Sequence, residues 1–531
     1  MDQEIIQFCN QRGILLDKYL IKQLTHFNNN YLLKNLLDRI TLQYKQKIIT
    51  KSFFNDKKKI IEILSNYNNN ERIILEDFFE SLGIDTNFFN NKSPSDYSFI
   101  TNNESGEVSI NKVYHNKPRK LSVEDFINNF KNRFLFLKNI LQERPDLDNL
   151  VSINKLETST NKNFSLIGIV YDKHTTKNGN VLLTIEDLTG SINALVNKNK
   201  SDVFEKSKEI LFDEVIALKC SGSKEMVFVN DIIFPDSRII TKKKSNFEEY
   251  AAFTSDIHVG SDKFLESNFI KFINWLNGNI GDENQRREAL KVKYLFITGD
   301  SIDGVGIYPG QESQLIIKDV NEQYKKLAEL LLAIRPDVSI ILCAGQHDAV
   351  RVAEPQPIIG EHYGSSLNLI NNLYLVSNPS IVSIGRDVKF KVLMYHGASI
   401  HGIINEIDSL RINKAHDSPT SVVKYMLKKR HLAPTHSLVT YTPLEKEDAL
   451  LVSEIPDILA TGDLHRPEIS DYNGVILIAS SCWQSKTPFE EKVGNNPDPC
   501  KVPLFNLKTR EIKILDFSDN LVEEKKMENA D

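Results

Sequence analysis

The spacing of apolar residues changes several times along the chain, and each change predicts a different kind of structure. Over residues 1–90 apolar positions recur at helical spacing, as in IIQFCNQRGILLDKYLIKQL, which predicts a helical module. Such a module would serve protein contacts or would be a plain structural bundle. Residues 91–120 are polar and show no periodic apolar pattern, so they predict a flexible linker.

An amphipathic helix is predicted next, at the start of the region 121–245. Ser122 is a suitable N-cap with Asp125 three residues later, and Pro145 follows the end of the pattern. The apolar side chains that share one face of this helix are Phe126, Phe130, Phe134, Leu137 and Leu141. We therefore expect the helix to pack on a neighbouring element.

The rest of the region 121–245 reads as short strands separated by turn residues. Five such runs are present: FSLIGIVYD, NVLLTIEDLTG, SINALVN, EVIALKCSG and MVFVNDIIF. Five short strands predict a small barrel of the OB type. Barrels of this type bind single-stranded nucleic acid through stacked aromatic side chains. Few aromatic residues lie in these runs, which favours a structural or partner-docking barrel.

The region 246–515 repeats a strand, a loop and a helix. Its buried-strand runs, each ending in polar residues, are EYAAFTSD, KYLFITGD, VSIILCAGQHD, FKVLMYHG, DILATGDLH and VILIASS. This pattern is typical of an α/β layered domain with its site at the strand ends. The charged segment 516–531 predicts a disordered tail.

Composition narrows the class of protein without indicating its function. The 531 residues are 41% hydrophobic and 26% charged, which is ordinary for a globular protein. No apolar stretch is long enough to span a bilayer and no secretory signal is visible, so we expect a cytoplasmic protein. The five cysteines form no CxxC pair, which argues against a disulfide framework or a cysteine zinc site. A net charge of −6 argues against nonspecific DNA binding by the whole surface but allows a local basic channel.

Candidate chemistry lies at five of the strand ends. The fragments are Asp256-Ile257-His258, GDSIDG at 299–304, GQHD at 345–348, YHG at 395–397 and GDLH at 462–465. Each fragment alone has an ordinary structural explanation, since an isolated histidine is usually a hydrogen-bonded core residue. Five such fragments at the ends of apolar strands, with glycines beside them, favour a metal site.

Carboxylate, imidazole and amide ligands together suit Mn²⁺ or Mg²⁺, and also Fe²⁺ or Zn²⁺. Two such ions roughly 3.5–4 Å apart can clamp a phosphate and activate a water for in-line attack. A carboxylate must bridge two ions at that separation. Asp300 is the natural candidate for the bridge.

These motifs resemble those of the calcineurin-like metallophosphoesterases, whose pattern is DxH, GDxxD, GNH(D/E), H and GHxH. The longer blocks SDIHVGS, GDSIDGVGIYPGQE, GQHDAVRVAEPQP, RHLAPTHS and EIPDILATGDLHRPEI resemble the small subunit of archaeal D-family DNA polymerase. This resemblance covers roughly residues 120–515. It implies a multidomain α+β fold with a helical N-terminal module, an OB-like barrel and a calcineurin-like α/β metallophosphoesterase domain.

The resemblance also implies a role for each site residue. One metal would be held by Asp256, His258, Asp300 and His465, and the other by Asp300, Gln346, His396 and Asp463. His347 would not bind metal but would protonate the leaving 3′ oxygen as a general acid. Arg351 would contact a DNA phosphate or form a structural ion pair, and we favour the structural role.

Two positions depart from the family pattern. Gln346 stands where asparagine is usual, and Asp463 stands where histidine is usual. Both replacements keep an atom that can coordinate a metal, and both fall on the same ion. They indicate a compensated variant site or the first step of its decay, and we favour an active site.

The resemblance implies a 3′→5′ exonuclease that proofreads within a heterodimer with the large catalytic polymerase subunit. Its substrate would be a primer–template or a single-stranded 3′ end of DNA. A sliding clamp is a further candidate partner. It would be reached through the holoenzyme and not by a motif of this chain, since QKIITKSFF approaches a clamp-binding pattern but its spacing is off by one. One alternative is a catalytically weakened scaffold that docks the large subunit. Another is a phosphoesterase for small phosphoesters or phosphoproteins, which the polymerase-type blocks disfavour.

Overall fold

A computed structural model of the chain divides into two units, Met1–Asp96 and Tyr97–Asp531. It describes scattered positions before residue 80, among them 12–17 and 47–50, and the ranges 106–114, 119–156, 163–239, 241–493, 495–518 and 523–526. In the first unit, the short strands Leu15–Leu16 and Ile48–Ile49 pair in parallel. The predicted helical module over 1–90 falls mostly outside the described residues.

The second unit contains two large sheets. The first sheet has seven strands, in the spatial order Leu373–Val376, Ser339–Cys343, Val292–Thr298, Tyr250–Thr254, Lys501–Asn506, Ile512–Asp516 and Glu523–Lys526. The second sheet has six strands, in the spatial order Glu468–Tyr472, Val475–Ala479, Ile458–Thr461, Phe390–Met394, Ser380–Ile384 and Val108–Lys112. Because neighbouring central strands of each sheet run in parallel, their carboxyl ends lie at a common edge.

Helices lie on the outer faces of both sheets. The α-helices of the described second unit are Val123–Gln142, Ser201–Lys208, Glu266–Leu276, Glu283–Ala289, Val320–Leu332, Glu361–Gly364, Ile400–Glu406, Asp408–Ile412, Pro419–Lys429 and Pro488–Val493. None of the helices in the described ranges is both long and apolar enough to cross a membrane.

Alternate residues of the buried strands face different layers, because successive side chains of a strand point to opposite faces. Leu295 and Ile297 pack with the helices Glu266–Leu276 and Val320–Leu332. Phe296, between them in the sequence, packs instead against residues of the second sheet. The two sheets therefore face each other across one core, with helices outside each of them. This arrangement confirms the prediction of an α/β layered domain.

The barrel is closed and has five strands, as predicted. Its strands, in spatial order, are Phe164–Thr175, Val181–Asp187, Gly190–Val196, Val227–Ile233 and Val215–Gly222, and the last pairs with the first. The helix Val123–Gln142 buries Phe134, Leu137 and Leu141 against barrel residues such as Ile167. At the start of this helix, the carboxylate of Asp125 accepts a hydrogen bond from the Ser122 backbone at 2.7 Å.

Two predictions of irregular structure are wrong in part. The expected linker 91–120 contains the strand Val108–Lys112, which pairs antiparallel with Ser380–Ile384. The expected disordered tail 516–531 contains the strand Glu523–Lys526, which pairs antiparallel with Ile512–Asp516. Both are edge strands of large sheets. Val108–Lys112 pairs with a strand that is distant in sequence, and Glu523–Lys526 is too polar to give an apolar pattern.

Candidate metal centre

The predicted site residues lie where the central strands end, and five of them share an unusual backbone. Five site residues, none of them glycine, have φ between 47° and 68°: Asp256, His258, Asp300, Asp463 and His465. This left-handed conformation costs roughly 1–2 kcal/mol for a residue with a Cβ atom. Strained backbone of this kind concentrates at functional sites, where the surrounding structure enforces it.

Three of these residues form a first group of ligand atoms. The Nε2 atoms of His258 and His465 lie 3.3 Å apart. Asp256 Oδ1 lies 3.3 Å from His465 Nε2 and 3.9 Å from His258 Nε2. Two nitrogens and one oxygen therefore surround a single point, as the ligands of one metal ion would.

Carboxylates hold both imidazoles of this group from behind. Asp303 accepts a hydrogen bond from His258 Nδ1 at 3.0 Å, and Glu490 accepts one from His465 Nδ1 at 2.8 Å. With Nδ1 donating, the Nε2 lone pair of each ring faces Asp256. This is the arrangement that fixes the tautomer and orientation of metal-binding histidines.

A second group lies beside the first and shares Asp256 with it. Asp256, Asp300 and His396 place one ligand atom each within 4.8 Å of one another. His396 donates from Nδ1 to the Thr298 carbonyl at 2.8 Å, so its Nε2 faces Asp300 Oδ2 at 3.2 Å. Asp463 Oδ1 lies 3.9 Å from the same Nε2 atom. Of the residues predicted for the second ion, Asp300 and His396 thus lie together, and Asp463 lies beside His396.

Two glycines permit this close approach. A Cβ atom on Gly345 would lie 2.2 Å from Asp300 Oδ1, and one on Gly299 would lie 2.3 Å from His396 Nδ1. Gly299 also has φ of 84°, which favours glycine. These positions explain why glycine stands beside the ligand residues in the motifs.

Three ligand atoms of the site are buried without a hydrogen-bond partner in the described part of the chain. They are Asp256 Oδ1, His396 Nε2 and Asp463 Oδ2. A buried polar atom that lacks a partner costs about 1–3 kcal/mol, so native structures rarely leave one unexplained. Divalent cations would satisfy all three atoms, and the mixed oxygen and nitrogen donors suit such ions.

The electrostatics of the site agree with this fit. Burial opposes ionisation of Asp300, but the neighbouring His396 and His347 hold its pKa well below the usual range. Burial would lower the pKa of His396, but Asp300 and Asp256 raise it well above the usual value. Divalent ions would displace the protons that these imidazoles otherwise hold, so binding of a metal would release protons.

His347 lies at the open side of the site and is partly exposed. Its backbone N–H donates to Asp300 Oδ1 at 2.8 Å, and its Nδ1 donates to the Asp303 carbonyl at 2.8 Å. Its ring meets His258 edge to face, with centroids 4.8 Å apart. His347 is therefore held beside the ligand groups while its Nε2 stays available for proton transfer.

The other residues of this loop differ in role, since some lie at the site and others support the loop. Gln346 is partly buried between Gly345 and His347, on the loop that contacts Asp300. Asp348 is buried and accepts hydrogen bonds from Ser301 and from Gly345 N, so it supports the loop. Arg351 donates to the carbonyls of Ala353 and Pro355. These structural contacts are hydrogen bonds to carbonyl groups rather than the ion pair that the sequence suggested.

Three functional candidates escaped the sequence reasoning. Asp303 lies in the GDSIDG motif, but nothing in the sequence pairs it with His258. Glu490 belongs to the helix Pro488–Val493, which has no motif. His401 lies with its Nε2 3.6 Å from Asp463 Oδ2, and only the turn after His396 brings it there.

The site falls within a region that matches a known family. The family model for the B subunit of DNA polymerase alpha/epsilon matches residues 251–470. The DNA polymerase II small subunit of Methanothermobacter thermautotrophicus is 39% identical over 75% of this chain and 80% of its own length. The protein of that name from Pyrococcus furiosus is 35% identical over 83% of this chain and 72% of its own length. The one from Methanocaldococcus jannaschii is 36% identical over 73% and 64%, respectively.

Proposed function

This chain belongs to the family of archaeal DNA polymerase II small subunits, and we propose that it is the 3′→5′ proofreading exonuclease of such a polymerase. The observation that carries the proposal is the two ligand groups that share Asp256. Within them Asp256 Oδ1 and His396 Nε2 are unpartnered, and so is Asp463 Oδ2 beside them. A scaffold has no need to maintain buried polar atoms of this cost. Synthesis would lie in a large catalytic subunit that binds this chain.

Two divalent ions fit these groups. Asp256, His258, Asp300 and His465 would hold one ion, and Asp300, Gln346, His396 and Asp463 would hold the other. When bound, such ions supply charge neutralisation at a phosphodiester and an activated water for in-line attack. Mn²⁺ and Mg²⁺ suit the carboxylates, and Fe²⁺ or Zn²⁺ would suit the imidazoles.

The protein's own groups would complete the reaction. Cleavage breaks the bond between phosphorus and the 3′ oxygen, and that oxygen must gain a proton. His347 Nε2 would deliver it, because the hydrogen bond from Nδ1 to the Asp303 carbonyl fixes the ring. A frayed mismatched end would reach the site more easily than a paired end, because less base pairing must be broken.

The scaffold alternative rests on one specific observation, the departures at Gln346 and Asp463. If these residues weaken the second ion, the chain would serve mainly to dock the large subunit. Barrel and α/β layers are joined by a buried ion pair, Lys429 with Glu214 at 2.6 Å. A barrel held to the layers by such a contact would suit docking in either case.

The deciding experiment measures digestion of a 3′-mismatched primer–template with Mn²⁺, with and without the large subunit. Variants Asp300→Asn and His347→Ala are compared with the exposed controls Asp408→Asn and His174→Ala. We expect Asp300→Asn to abolish digestion and His347→Ala to slow it by roughly 100- to 10,000-fold. Wild-type digestion no faster than that of Asp300→Asn, even with the large subunit present, would leave the scaffold role.

A further inference from the structure

Asp463 has an imidazole neighbour that the family motifs do not include. Its Oδ1 faces His396 Nε2 at 3.9 Å, and its Oδ2 faces His401 Nε2 at 3.6 Å. Asp463 Oδ2 is buried and has no hydrogen-bond partner among the described residues. Each oxygen of the Asp463 carboxylate thus faces a different imidazole nitrogen.

The His401 ring is held in the orientation that a metal ligand needs. Its Nδ1 lies 3.2 Å from His416 Nε2, and one of these nitrogens must donate while the other accepts. With His401 Nδ1 as the donor, the lone pair of its Nε2 faces Asp463. His416 thus takes the place behind the ring that Asp303 takes behind His258.

The separations fit shared coordination better than direct hydrogen bonding. A hydrogen bond between imidazole and carboxylate would bring the two atoms to about 2.7–3.2 Å. Ligand atoms about 2.1 Å from one metal ion stand roughly 3.0–3.4 Å apart. The observed 3.6 Å and 3.9 Å exceed the first range and approach the second. A small movement of the His401 ring would bring its Nε2 and Asp463 Oδ2 within reach of one ion.

We propose that His401, oriented by His416, is an additional ligand of the metal ion on the Asp463 side. The proposal deepens the two-metal site on which the proposed function rests. The family pattern places an imidazole at position 463, where this chain has a carboxylate. His401 would return an imidazole to the ligand set from another element, the helix Ile400–Glu406. An added nitrogen donor favours Mn²⁺, Fe²⁺, Co²⁺ or Zn²⁺ over Mg²⁺ at this position.

The test is metal binding by the full chain, independent of catalysis. Metal-free wild type, His401→Ala and His416→Ala are titrated with Co²⁺, and visible absorption and bound metal are measured. His174→Ala is the matched control, because His174 is an exposed histidine of the barrel. We expect wild type to bind two equivalents. In His401→Ala, one of the two should bind at least roughly 10-fold more weakly with an altered spectrum, and in His416→Ala the loss should be smaller.

The outcomes separate this inference from the proposed function. Two equivalents bound by His401→Ala with wild-type affinity and spectrum would overturn the inference, leaving His401 as an ion-pair partner of Asp463. A wild type that binds fewer than two ions would overturn it as well, together with the two-metal function. Two ions whose binding depends on His401, in a protein without nuclease activity, would support the inference and reject the exonuclease. Circular dichroism of each variant establishes that the comparison is between folded proteins.

Discussion

His258 and His465 direct their Nε2 atoms at each other across 3.3 Å, although they are 207 residues apart in the sequence. Without a metal, an imidazolium at one of the two rings would donate to the neutral other ring at this distance. A cation between them, shared with Asp256, would instead take both Nε2 lone pairs at once. The carboxylates of Asp303 and Glu490, behind the rings, hold the pair in this arrangement.

Glu490→Gln should weaken metal binding without unfolding the chain. The carboxylate of Glu490 orients His465 through Nδ1, and loss of such a partner typically costs 10- to 100-fold in metal affinity, about 1.4–2.7 kcal/mol. Glu491→Gln is the matched control, because Glu491 is the exposed neighbour. Calorimetric titration with Mn²⁺ measures the difference. Equal affinities of the two variants would show that Glu490 does not act on the metal site.

Asp448→Asn should destabilise the second unit strongly. Asp448 is buried between Arg133 on the helix Val123–Gln142, at 2.7 Å, and His431, at 2.8 Å. Removing the carboxylate leaves the buried guanidinium unpaired, which typically costs about 3–5 kcal/mol. Urea unfolding followed by tryptophan fluorescence reports the change, since Trp275 and Trp483 lie in the core of this unit.

The control for this prediction is Asp408→Asn, which removes an exposed carboxylate paired with Arg411. Exposed pairs contribute at most about 1 kcal/mol. A loss of similar, small size in both variants would show that the buried network contributes little to stability. A second variant, Asp448→Leu with Arg133→Met, should recover part of the loss, because no buried charge then remains unpaired.

Glu354 should make the stability of the fold depend on pH. Burial raises the pKa of Glu354 from 4.5 to about 8, and the Tyr395 hydroxyl hydrogen-bonded to it opposes this only in part. Between these two values the unfolded chain releases a proton that the folded chain retains. The contribution of Glu354 to stability therefore falls as pH rises from about 4.5 to about 8.

Glu354→Gln should remove this dependence, since glutamine resembles the protonated side chain. We expect the melting temperature of the variant to match that of the wild type near pH 5. Near pH 8.5 it should exceed the wild-type value by roughly a few degrees. Scanning calorimetry at both pH values measures the shift. The exposed Glu361→Gln is the reference for loss of a surface charge. A variant less stable than wild type at the higher pH would contradict the prediction.

Much of the site was predictable because its residues share a local rule. Asp256, Asp300, His396 and His465 each follow a buried run, and parallel strands bring such positions to one edge. The glycines in the motifs indicated close approach before any distance was known. The barrel was predictable for a similar reason, because five short runs between turn residues have few other solutions.

The rest depended on contacts between distant segments, which periodicity does not encode. Glu490 reaches His465 from a helix without a motif, and His401 reaches Asp463 only through the turn after His396. The strand Val108–Lys112 is short and partly polar, and it forms because Ser380–Ile384 offers a free edge. Each of these features is set by tertiary placement rather than by local pattern.

Coupling between Asp463 and His401 is tested by measuring the effect of His401→Ala in the wild type and in the Asp463→His variant. Asp463→His should bind two ions, because it restores the imidazole that the family pattern has there, and histidine tolerates the left-handed backbone at this position, where φ is 68°. In that background the ion no longer needs a second imidazole from His401. The effect of His401→Ala on Co²⁺ affinity should therefore shrink from about 10-fold or more to less than about two-fold. An undiminished effect in the Asp463→His background would show that His401 acts independently of residue 463, because the two changes would then be additive.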